Sequence, residues 1–344
     1  MDKAIKECVE QILYSHLGEY REFSLREISG HNVWQVQAES FSAYVKQTRQ
    51  VSIYKFFADC GVVPGILGYN EQHKLILSED VGLDTVDQLL LGADPEAATA
   101  GLVDMAASMA KLHGWTSQHN PPTIRQDFLP TNISLTAILN VTGALEINSA
   151  AALVEFQELF VWRESESGFR TIVHGDPCPE NFATRKEGGC FIDLDNAFNA
   201  PSFIDAVIWR IPFPTCWQVA RIPSNTIARI ENAYRVQLCQ HFRAAQDDRK
   251  YFDGIASGCA WWLGFLVGGK RLIEEPIDHE LHPELATVRQ RTLLWFDQIA
   301  NTLEELSRYP AIALLARDMG EVLSKRWGGL EKTPLFPAFR GSSR

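Results

Sequence analysis

The fold of this chain is decided by residues 171–195, which read TIVHGDPCPENFATRKEGGCFIDLD. An apolar run ends in a His-Gly-Asp sequence whose last member is Asp176, and Asn181 follows shortly after it. The Gly-Gly pair at 188–189 is a two-residue hairpin signal, because both turn positions of such a hairpin need a positive φ. The returning run ends at Asp193, so we expect the hairpin to bring Asp193 back beside Asn181 and Asp176.

These residue types predict a metal site. Carboxylate and amide oxygens on short strands suit Mg²⁺, a hard cation usually held by one or two carboxylates together with substrate phosphates. An Asp, then an Asn, then a later Asp is the catalytic order of protein kinases. In that order Asp176 is the predicted catalytic base, and Asn181 and Asp193 are predicted magnesium ligands, with Asp195 assisting a second metal ion. Any one of these residues alone would also fit a surface hairpin with ordinary turn acids.

The motifs are not those of protein kinases themselves. The first begins His-Gly-Asp and not His-Arg-Asp, and the later one, at residues 192–195, is Ile-Asp-Leu-Asp and not Asp-Phe-Gly. These variants resemble the aminoglycoside phosphotransferase and choline kinase-like family, the small-molecule branch of the kinase fold. The resemblance implies an α/β (α+β) fold with two lobes, a small N-lobe with an antiparallel sheet and a larger, mainly helical C-lobe. It extends to about residue 210, and beyond that point only helical character supports it.

The predicted domains follow from the order of the elements. Residues 1–82 are expected to form an N-terminal helix and a nucleotide-binding N-lobe, because an amphipathic helical pattern is followed by alternating, strand-like runs. Residues 83–330 are expected to form the helical C-lobe, which would carry the catalytic loop and the acceptor site. Residues 119–146 are the least regular stretch of that lobe. Residues 331–344 are predicted to be a frayed tail.

The resemblance also implies where a nucleotide would bind. In the family, a turn between the first two strands covers the phosphates, and a Lys on the third strand reaches them. Gly30 and Asn32 lie in that turn and Lys46 ends the third strand, so these three residues are assigned to the nucleotide, together with Glu79, whose backbone carbonyl would contact the base. Lys46 could equally be an ordinary strand-end cation, and Glu79 an exposed strand end.

One departure from the family concerns the helix that follows Lys46. In the family this helix carries a Glu that pairs with the strand Lys, and no Glu lies between Arg49 and Asp59. Gln50 lies roughly where the Glu is expected, and an amide can hydrogen-bond an ammonium but supplies no charge. Two further assignments follow from the resemblance. Asp205 is expected to brace the catalytic loop, and His174 to hold that loop by a backbone hydrogen bond.

Composition limits the remaining possibilities. The 344 residues are long enough for two lobes, and a net charge of -11 argues against nucleic-acid or anionic-membrane binding and would suit a cationic substrate. No membrane span and no signal-peptide core are expected. The seven Cys residues are scattered without a Cys-x-x-Cys pair, so neither a disulfide framework nor a zinc site is expected, and a reducing cytoplasm fits.

Three other patterns offer weaker alternatives. Residues 264–271 nearly match a phosphate-binding loop, but Arg271 replaces the required hydroxyl, so the glycines are better explained by close helix packing. Trp261, Trp262 and Trp295 could line a cation-binding aromatic pocket or belong to the helical core. Cys178 lies between two prolines without an adjacent base, which makes a catalytic thiol the poorer interpretation.

The sequence therefore predicts a kinase that uses ATP, with GTP as the alternative, and Mg²⁺ to phosphorylate a hydroxyl group of a small molecule. Aminoglycosides, choline-like alcohols, amino alcohols and sugars all remain open as acceptors, and the chain is expected to be a monomer or homodimer. Two alternatives remain. One is a nucleotide-binding pseudokinase, motivated by the missing helix Glu. The other is a helical interaction protein with an incidental hairpin.

Overall fold

The computed structural model describes residues 3–17, 23–28, 32–38, 41–124, 133–164, 169–268, 278, 280 and 282–342. The strands are β1 Ser24–Ile28, β2 Val33–Ala38, β3 Phe41–Gln47, β4 Ile66–Asn70, β5 Leu75–Glu79, β6 Arg170–Val173, β7 Phe182–Ala183, β8 Cys190–Phe191 and β9 Phe198–Pro201. The helices are α1 Lys3–Leu17, α2 Val51–Phe57, α3 Val86–Leu91, α4 Pro95–Gln118, α5 Leu135–Ala144, α6 Ala150–Glu164, α7 Phe203–Ala206, α8 Ser224–Leu238, α9 Asp248–Gly268, α10 Val288–Glu305 and α11 Pro310–Arg326.

The N-terminal part is an antiparallel five-stranded sheet in the order β1-β2-β3-β5-β4. Alternate residues of its strands point to one face and are buried there, as the alternating sequence pattern predicts. Helix α1 covers this face with Val9 and Ile12, and a Cβ on Gly68 of β4 would lie 2.3 Å from the Ile12 side chain. The helix therefore approaches the sheet at a position where only glycine leaves room.

A second and larger hydrophobic core joins the helices of the C-terminal part. It also includes Ile53 and Phe57, the buried residues of α2, together with Val62 and Val63. Helix α2 is therefore attached to the helical core, although it lies between strands of the N-terminal sheet in sequence. This packing places the end of β3 and the start of α2 against the hairpin region of the C-terminal part. The domain boundaries drawn from the sequence stay predictions.

The hairpin at residues 182–191 differs from the predicted two-residue turn. Strands β7 and β8 are short, with Phe182 opposite Phe191, and the connection between them is longer than two residues. Gly188 has a φ of +99°, but Gly189 is needed for space, because a Cβ there would lie 2.2 Å from the Phe182 ring. The hairpin prediction was right about the reversal of the chain and wrong about the turn.

Two stretches are more regular than predicted. Within residues 119–146, Leu135–Ala144 form helix α5, capped by the Ser134 hydroxyl, which accepts a hydrogen bond from the Ala137 N–H. The predicted frayed tail is packed: Phe336 is buried, and its N–H donates to the carbonyl of Arg221 over 3.2 Å. Apolar side chains spaced along a Pro-rich segment can hold it to the core although it forms no long helix or strand.

Burial and close packing explain two other sequence patterns, the three tryptophans and the glycines of residues 264–271. Trp261, Trp262 and Trp295 are all buried in the helical core. Arg163 lies 5.3 Å from the Trp261 ring centroid and Arg291 lies 5.4 Å from the Trp295 ring centroid. Helix α9 continues through Gly264, where a Cβ would lie 2.6 Å from Ile133, so this glycine serves close packing as expected. The end of the loop-like motif, at residues 270 and 271, lies outside the described residues.

None of the described helices is both long enough and apolar enough to cross a membrane.

Candidate active site

The catalytic loop begins where strand β6 ends, and it is held by buried polar groups. The Asp205 carboxylate accepts hydrogen bonds from the backbone N–H groups of His174, over 2.6 Å, and Gly175, over 3.2 Å. The His174 ring in turn contacts the carbonyl of Ile192 through Nε2 over 2.9 Å, which ties the loop to the returning hairpin. Both bracing roles expected for Asp205 and His174 are confirmed by these contacts.

Asp205 is itself fixed by a second buried histidine. His113, at 0% exposure in α4, lies with Nε2 3.2 Å from an Asp205 oxygen and Nδ1 3.0 Å from the Tyr234 hydroxyl. A buried polar group needs such partners, because an unsatisfied one costs about 1–3 kcal/mol. His113 is therefore a core hydrogen-bonding residue that supports the brace.

Asp176 lies at the open side of this loop, with its carboxylate contacted by three side chains. The Asn196 amide donates to Oδ2 over 3.4 Å, Oδ1 lies 3.2 Å from the Cys178 sulfur, and the Thr215 hydroxyl lies close enough to the carboxylate to lower its pKa. Burial raises the pKa of Asp176, and the nearby charge of Asp193 adds to the rise, while the hydrogen bond from Thr215 opposes it. A carboxylate with a raised pKa is a better proton acceptor than an ordinary one.

Lys46 contacts both carboxylates of the Ile-Asp-Leu-Asp motif. Its Nζ lies 2.5 Å from Oδ1 of Asp193 and 3.1 Å from Oδ2 of Asp195. Burial by itself raises the pKa of Asp193, but the charge and the hydrogen bond of Lys46 outweigh it, and the net pKa is lowered. Asp193 has a left-handed backbone, with φ 61° and ψ 61°, which a non-glycine residue keeps only where its surroundings enforce it.

Asp195 is held from the start of α2. Its Oδ1 accepts hydrogen bonds from the Thr48 hydroxyl and from the Tyr54 hydroxyl, the latter over 3.4 Å, while Tyr54 also accepts from the Leu194 N–H over 3.0 Å. Burial, followed by the charges of Asp195 and Asp193, raises the pKa of Tyr54, so its hydroxyl remains a donor. The negative partner of Lys46 thus comes from the hairpin, and the hydroxyl groups of Thr48, before α2, and Tyr54, within it, hold this partner in place.

Gln50 does not replace the missing helix Glu as a partner of Lys46. Its side-chain amide donates to the carbonyl of Ala197 over 3.1 Å and reaches the carbonyl of Asp195 over 3.5 Å. The buried amide therefore joins α2 to the segment after the hairpin. Its polar contacts are to backbone and not to the strand Lys.

Asn181 contacts the two segments that carry Asp176 and Asp193. Its side-chain amide donates to the carbonyl of Asp176 over 2.9 Å, and its own backbone carbonyl accepts from the Ile192 N–H over 2.9 Å. In this orientation the side-chain NH₂ group of Asn181 bonds the catalytic loop, and its side-chain oxygen Oδ1 is the atom that could bind a metal ion. Together with the carboxylates of Asp193 and Asp195, the site offers a set of oxygen donors, which fits Mg²⁺ in kind.

Asn32, Glu79 and Gly30 are the other residues that the sequence assigned to the nucleotide. Asn32 has a φ of 55°, and its carbonyl accepts from the Gln47 N–H over 2.9 Å, so it lies at the same end of the sheet as Lys46. Glu79 ends β5, and its carboxylate turns back to accept from the Gly65 N–H over 3.1 Å. Gly30 lies outside the described residues.

One expectation about the cysteines was wrong. Cys178 of the catalytic loop forms a disulfide with Cys216, with Cα atoms 5.7 Å apart and 38 positions between them in sequence. The two sulfurs lie near Asp176, but since they are bonded to each other they are not thiolate metal ligands. No spacing rule connects these cysteines, because only the folded chain brings residue 216 to the loop. A reducing compartment therefore no longer follows from the cysteine pattern.

Several residues of the site could not be found from the sequence. Thr48 and Tyr54 reach Asp195 across a sequence separation of more than 100 residues, and no motif marks them. Thr215 belongs to an irregular segment and contacts Asp176 only through the fold. Asn196 carried a weak signal, since it directly follows the Ile-Asp-Leu-Asp motif and a hairpin should bring it back to the loop.

Comparison with known proteins agrees with this geometry. The model of a family described as the phosphotransferase enzyme family (APH) matches residues 22–235, more than half of the chain. No curated protein sequence matches significantly. Among solved structures, a microcompartment-associated aminopropanol kinase is 12% identical with a TM-score of 0.51, covering 92% of this chain and 99% of its own. Because the identity is so low, this likeness shows a kinase-like fold and no more.

Two other solved structures are similar at lower TM-scores. A putative aminoglycoside phosphotransferase from Ralstonia eutropha is 16% identical with a TM-score of 0.48, and the match covers 93% of this chain and 98% of that one. A choline/ethanolamine kinase family protein from Mesorhizobium loti is 14% identical with a TM-score of 0.48, covering 90% and 99% respectively.

Proposed function

We propose, since this chain belongs to the phosphotransferase enzyme family, that it is an ATP- and Mg²⁺-dependent kinase that phosphorylates a hydroxyl group of a small molecule. The family match and the kinase-like fold agree with the resemblance that the catalytic-loop residues indicated. Membership of the family makes the chain a phosphotransferase. The nucleotide, the metal and the acceptor group are the parts that we infer from the site.

The observation that carries the proposal is the meeting of Lys46, Asp176, Asn181 and Asp193 at one place. Phosphoryl transfer depends mainly on positioning and on stabilisation of charge, so a cation, oxygen ligands and a base must lie together. Lys46 contacts Asp193, and Asn181 bonds the backbone of Asp176. Asp176 would orient the acceptor hydroxyl and take its proton.

Asn181 and Asp193 would hold Mg²⁺, with Lys46 neutralising the phosphates and Gly30 and Asn32 covering them. When bound, magnesium and ATP would supply the phosphoryl group and the charge compensation that its transfer needs. Asp195 was predicted to assist a second metal ion. Asp195 contacts Thr48, Tyr54 and Lys46, and these contacts favour a different role, in which Asp195 is the negatively charged partner of Lys46.

This arrangement weakens the case for a pseudokinase. That alternative was motivated by the missing helix Glu, which would leave Lys46 without a negative partner. Asp195 lies 3.1 Å from Lys46 Nζ and is held by the hydroxyl groups of Thr48, before α2, and Tyr54, within it, so a carboxylate is available as the partner of Lys46. The missing helix acid is thus compatible with an active enzyme.

The acceptor class is open within the proposal. A net charge of -11 favours a cationic substrate, and the aminopropanol kinase among the structural neighbours carries a cationic amino alcohol in its name. We therefore place amino alcohols and choline-like alcohols first in a panel that also contains aminoglycosides and sugars. Nucleic acid and membranes are not expected as partners. A cytoplasmic location and the monomer or homodimer state stay predictions.

The test is Mg²⁺-dependent release of ADP from ATP across this panel. We expect one class of hydroxyl compound to stimulate release in the wild type, and Asp176→Asn to lower turnover by about 10²-fold or more, because it removes the base. Nucleotide binding should remain in Asp176→Asn and weaken in Asp193→Ala, as measured by calorimetry with Mg-ATP. Asp59→Asn, an exposed carboxylate change outside the site, is the matched control.

Two results would contradict the proposal. Equal turnover in Asp176→Asn and the wild type would remove Asp176 as the base. No binding of Mg-ATP together with no stimulation by any compound would show that the site is not a nucleotide site, and would favour the helical interaction protein.

A further inference from the structure

The catalytic loop is tied covalently to a distant, irregular segment. Cys178 lies two positions after Asp176, and its disulfide partner Cys216 lies in residues 212–220, which form turns and loop. The ends of this segment are fixed to α10 and its approach: Trp295 donates to the carbonyl of Pro212, and the Ala286 N–H donates to the carbonyl of Val219, over 2.8 and 2.9 Å. The disulfide fixes its middle, where Arg291 of α10 also donates to the carbonyl of Cys216 over 3.1 Å.

The residue beside Cys216 reaches the predicted base. The Thr215 hydroxyl lies 3.6 Å from the Cys178 sulfur, and it is close enough to the Asp176 carboxylate to lower the pKa of that group. That sulfur lies 3.2 Å from Oδ1 of Asp176. The Cys178 sulfur therefore contacts both the Thr215 hydroxyl and Oδ1 of Asp176, while Asn196 binds the other carboxylate oxygen.

We propose that Thr215 is a positioning residue for Asp176, and that the Cys178–Cys216 disulfide holds Thr215 in place, so that turnover is faster with the disulfide formed than with it reduced. This rests on the proposed function of Asp176 as the base. The orientation of a catalytic group matters strongly, since a misplacement of about 1 Å can cost about 10²-fold in rate.

Reduction by an external dithiol is a thiol–disulfide exchange. One thiolate of the dithiol attacks a protein sulfur, which breaks the Cys178–Cys216 bond and forms a mixed disulfide. The second thiolate of the dithiol then attacks the mixed disulfide and releases the protein sulfur. The dithiol leaves as a cyclic disulfide, two electrons have passed to the protein, and each cysteine thiolate takes up a proton.

The reduced state should loosen the contact with Asp176. Cys178 and Cys216 are 1% and 4% exposed, and two unbonded thiols need more room than a bonded pair. The side of the pair that can yield is the irregular segment, because the catalytic loop is fixed by Asp205 and by Ile192. A shift of that segment carries Thr215 away from the carboxylate.

The first experiment separates the hydroxyl from the bulk of Thr215. Thr215→Val removes the donor at nearly equal volume, and we expect kcat to fall about tenfold with little change in KM for Mg-ATP. Thr215→Ser, which keeps the hydroxyl, should regain most of the lost kcat. Equal kcat in Thr215→Val and the wild type, or equal losses in Thr215→Val and Thr215→Ser, would overturn the positioning role.

The second experiment tests the disulfide. Wild-type protein is incubated with dithiothreitol until all seven thiols are counted, and kcat is compared with that of the oxidised protein and of the double variant Cys178→Ser with Cys216→Ser. We expect the reduced protein and the double variant to lose about tenfold in kcat, and dithiothreitol to have no further effect on the double variant. Cys239→Ser, an unpaired cysteine, should respond to dithiothreitol as the wild type does.

A third readout does not depend on activity. Hydrogen exchange of the peptide covering residues 212–220 should become faster after reduction and in Thr215→Val, with exchange in α10 unchanged. If the oxidised wild type neither binds Mg-ATP nor transfers phosphate to any acceptor, the proposed function fails, and this exchange alone decides the positioning role. Unchanged exchange in both reduced protein and Thr215→Val would then overturn it.

Discussion

Asp205 is the residue on which the geometry of the catalytic loop depends most. Its buried carboxylate accepts from the N–H groups of His174 and Gly175 and contacts Nε2 of His113. A carboxylate in this position satisfies two donors that water cannot reach. An amide of the same size has one oxygen and one NH₂ group, and the NH₂ group would face a donor.

We therefore predict that Asp205→Asn lowers the free energy of unfolding by about 2–4 kcal/mol, because one buried N–H loses its acceptor. Urea unfolding followed by circular dichroism measures this. Asp59→Asn, at an exposed carboxylate, should change stability by less than about 0.5 kcal/mol. If Asp205→Asn also changed the free energy of unfolding by less than about 0.5 kcal/mol, the carboxylate would not be needed to accept from both backbone N–H groups.

Gln50 allows a test of the missing helix acid. Its amide donates to the carbonyls of Ala197 and Asp195, so a carboxylate there would face two carbonyl oxygens in a buried place. We predict that Gln50→Glu, although it restores the residue type of the family, lowers the free energy of unfolding by about 1–3 kcal/mol and does not raise turnover. Urea unfolding and the ADP-release assay measure the two effects.

The outcome that would contradict this is a Gln50→Glu variant that is as stable as the wild type and faster. It would mean that an acidic residue at position 50 can form an ion pair with Lys46 and replace Asp195 in that role. Gln50→Met, which keeps the volume but has neither donor nor charge, serves as the control for loss of the amide alone.

At the scale of elements, helices α7 and α9 meet through glycines. A Cβ on Gly258 of α9 would lie 2.5 Å from the backbone carbonyl of Phe203 in α7, a contact that side-chain movement cannot relieve. This approach places α7, and with it Asp205, against the C-terminal core. The separation of the two helices therefore bears directly on the position of the brace.

We predict that Gly258→Ala lowers the free energy of unfolding by about 1–3 kcal/mol, as overpacking of a close backbone contact does. Gly143→Ala in α5 is the matched control, because a Cβ there meets nothing within 4 Å. The control should be neutral or more stable by up to about 1 kcal/mol, since alanine is the better helix former. Equal effects of the two variants in thermal or urea unfolding would contradict the packing account.

The elements that the sequence predicted well are those with a strong local pattern. The N-terminal helix and the strand-like runs that were predicted within residues 1–82 are present as α1 and β1–β5, because their apolar positions recur with the period of a helix or of a strand. Helix α5 was missed because Pro and Gly around it looked irregular. The terminal segment was missed because Phe336 is held by a contact to Arg221, which local sequence does not encode.

At the scale of the whole molecule, the site is assembled from parts that are far apart in the chain. The motif at residues 171–195 predicted Asp176, Asn181 and Asp193 together, because one hairpin joins them. Thr48 lies between β3 and α2, and Thr215 lies in a loop before α8, so each reaches the motif only through the packing of the folded chain. Sequence reasoning finds contacts within a motif and misses those that tertiary packing alone creates.

The same packing controls the chemistry of the cysteines that remain unpaired. Burial raises the pKa of the Cys60 and Cys190 thiols to about 11 and that of Cys259 to about 12. Because a thiol reacts as its thiolate, a raised pKa moves reactivity to higher pH, and at pH 8 only about one Cys60 side chain in a thousand would be ionised.

We predict that Cys60 is alkylated by iodoacetamide more slowly than Cys239 at pH 8, although both are partly exposed, and that its rate rises about tenfold per pH unit up to pH 10. Peptide mass spectrometry of the oxidised protein after timed labelling measures both rates. Cys190 and Cys259 are buried and also have raised pKa values, so iodoacetamide should alkylate them more slowly than it alkylates Cys60. Labelling of Cys60 as fast as Cys239, without dependence on pH, would show that the core around α2 opens more readily than its packing implies. The attachment of α2 to the helical core, on which the position of Tyr54 depends, would then need to be reconsidered.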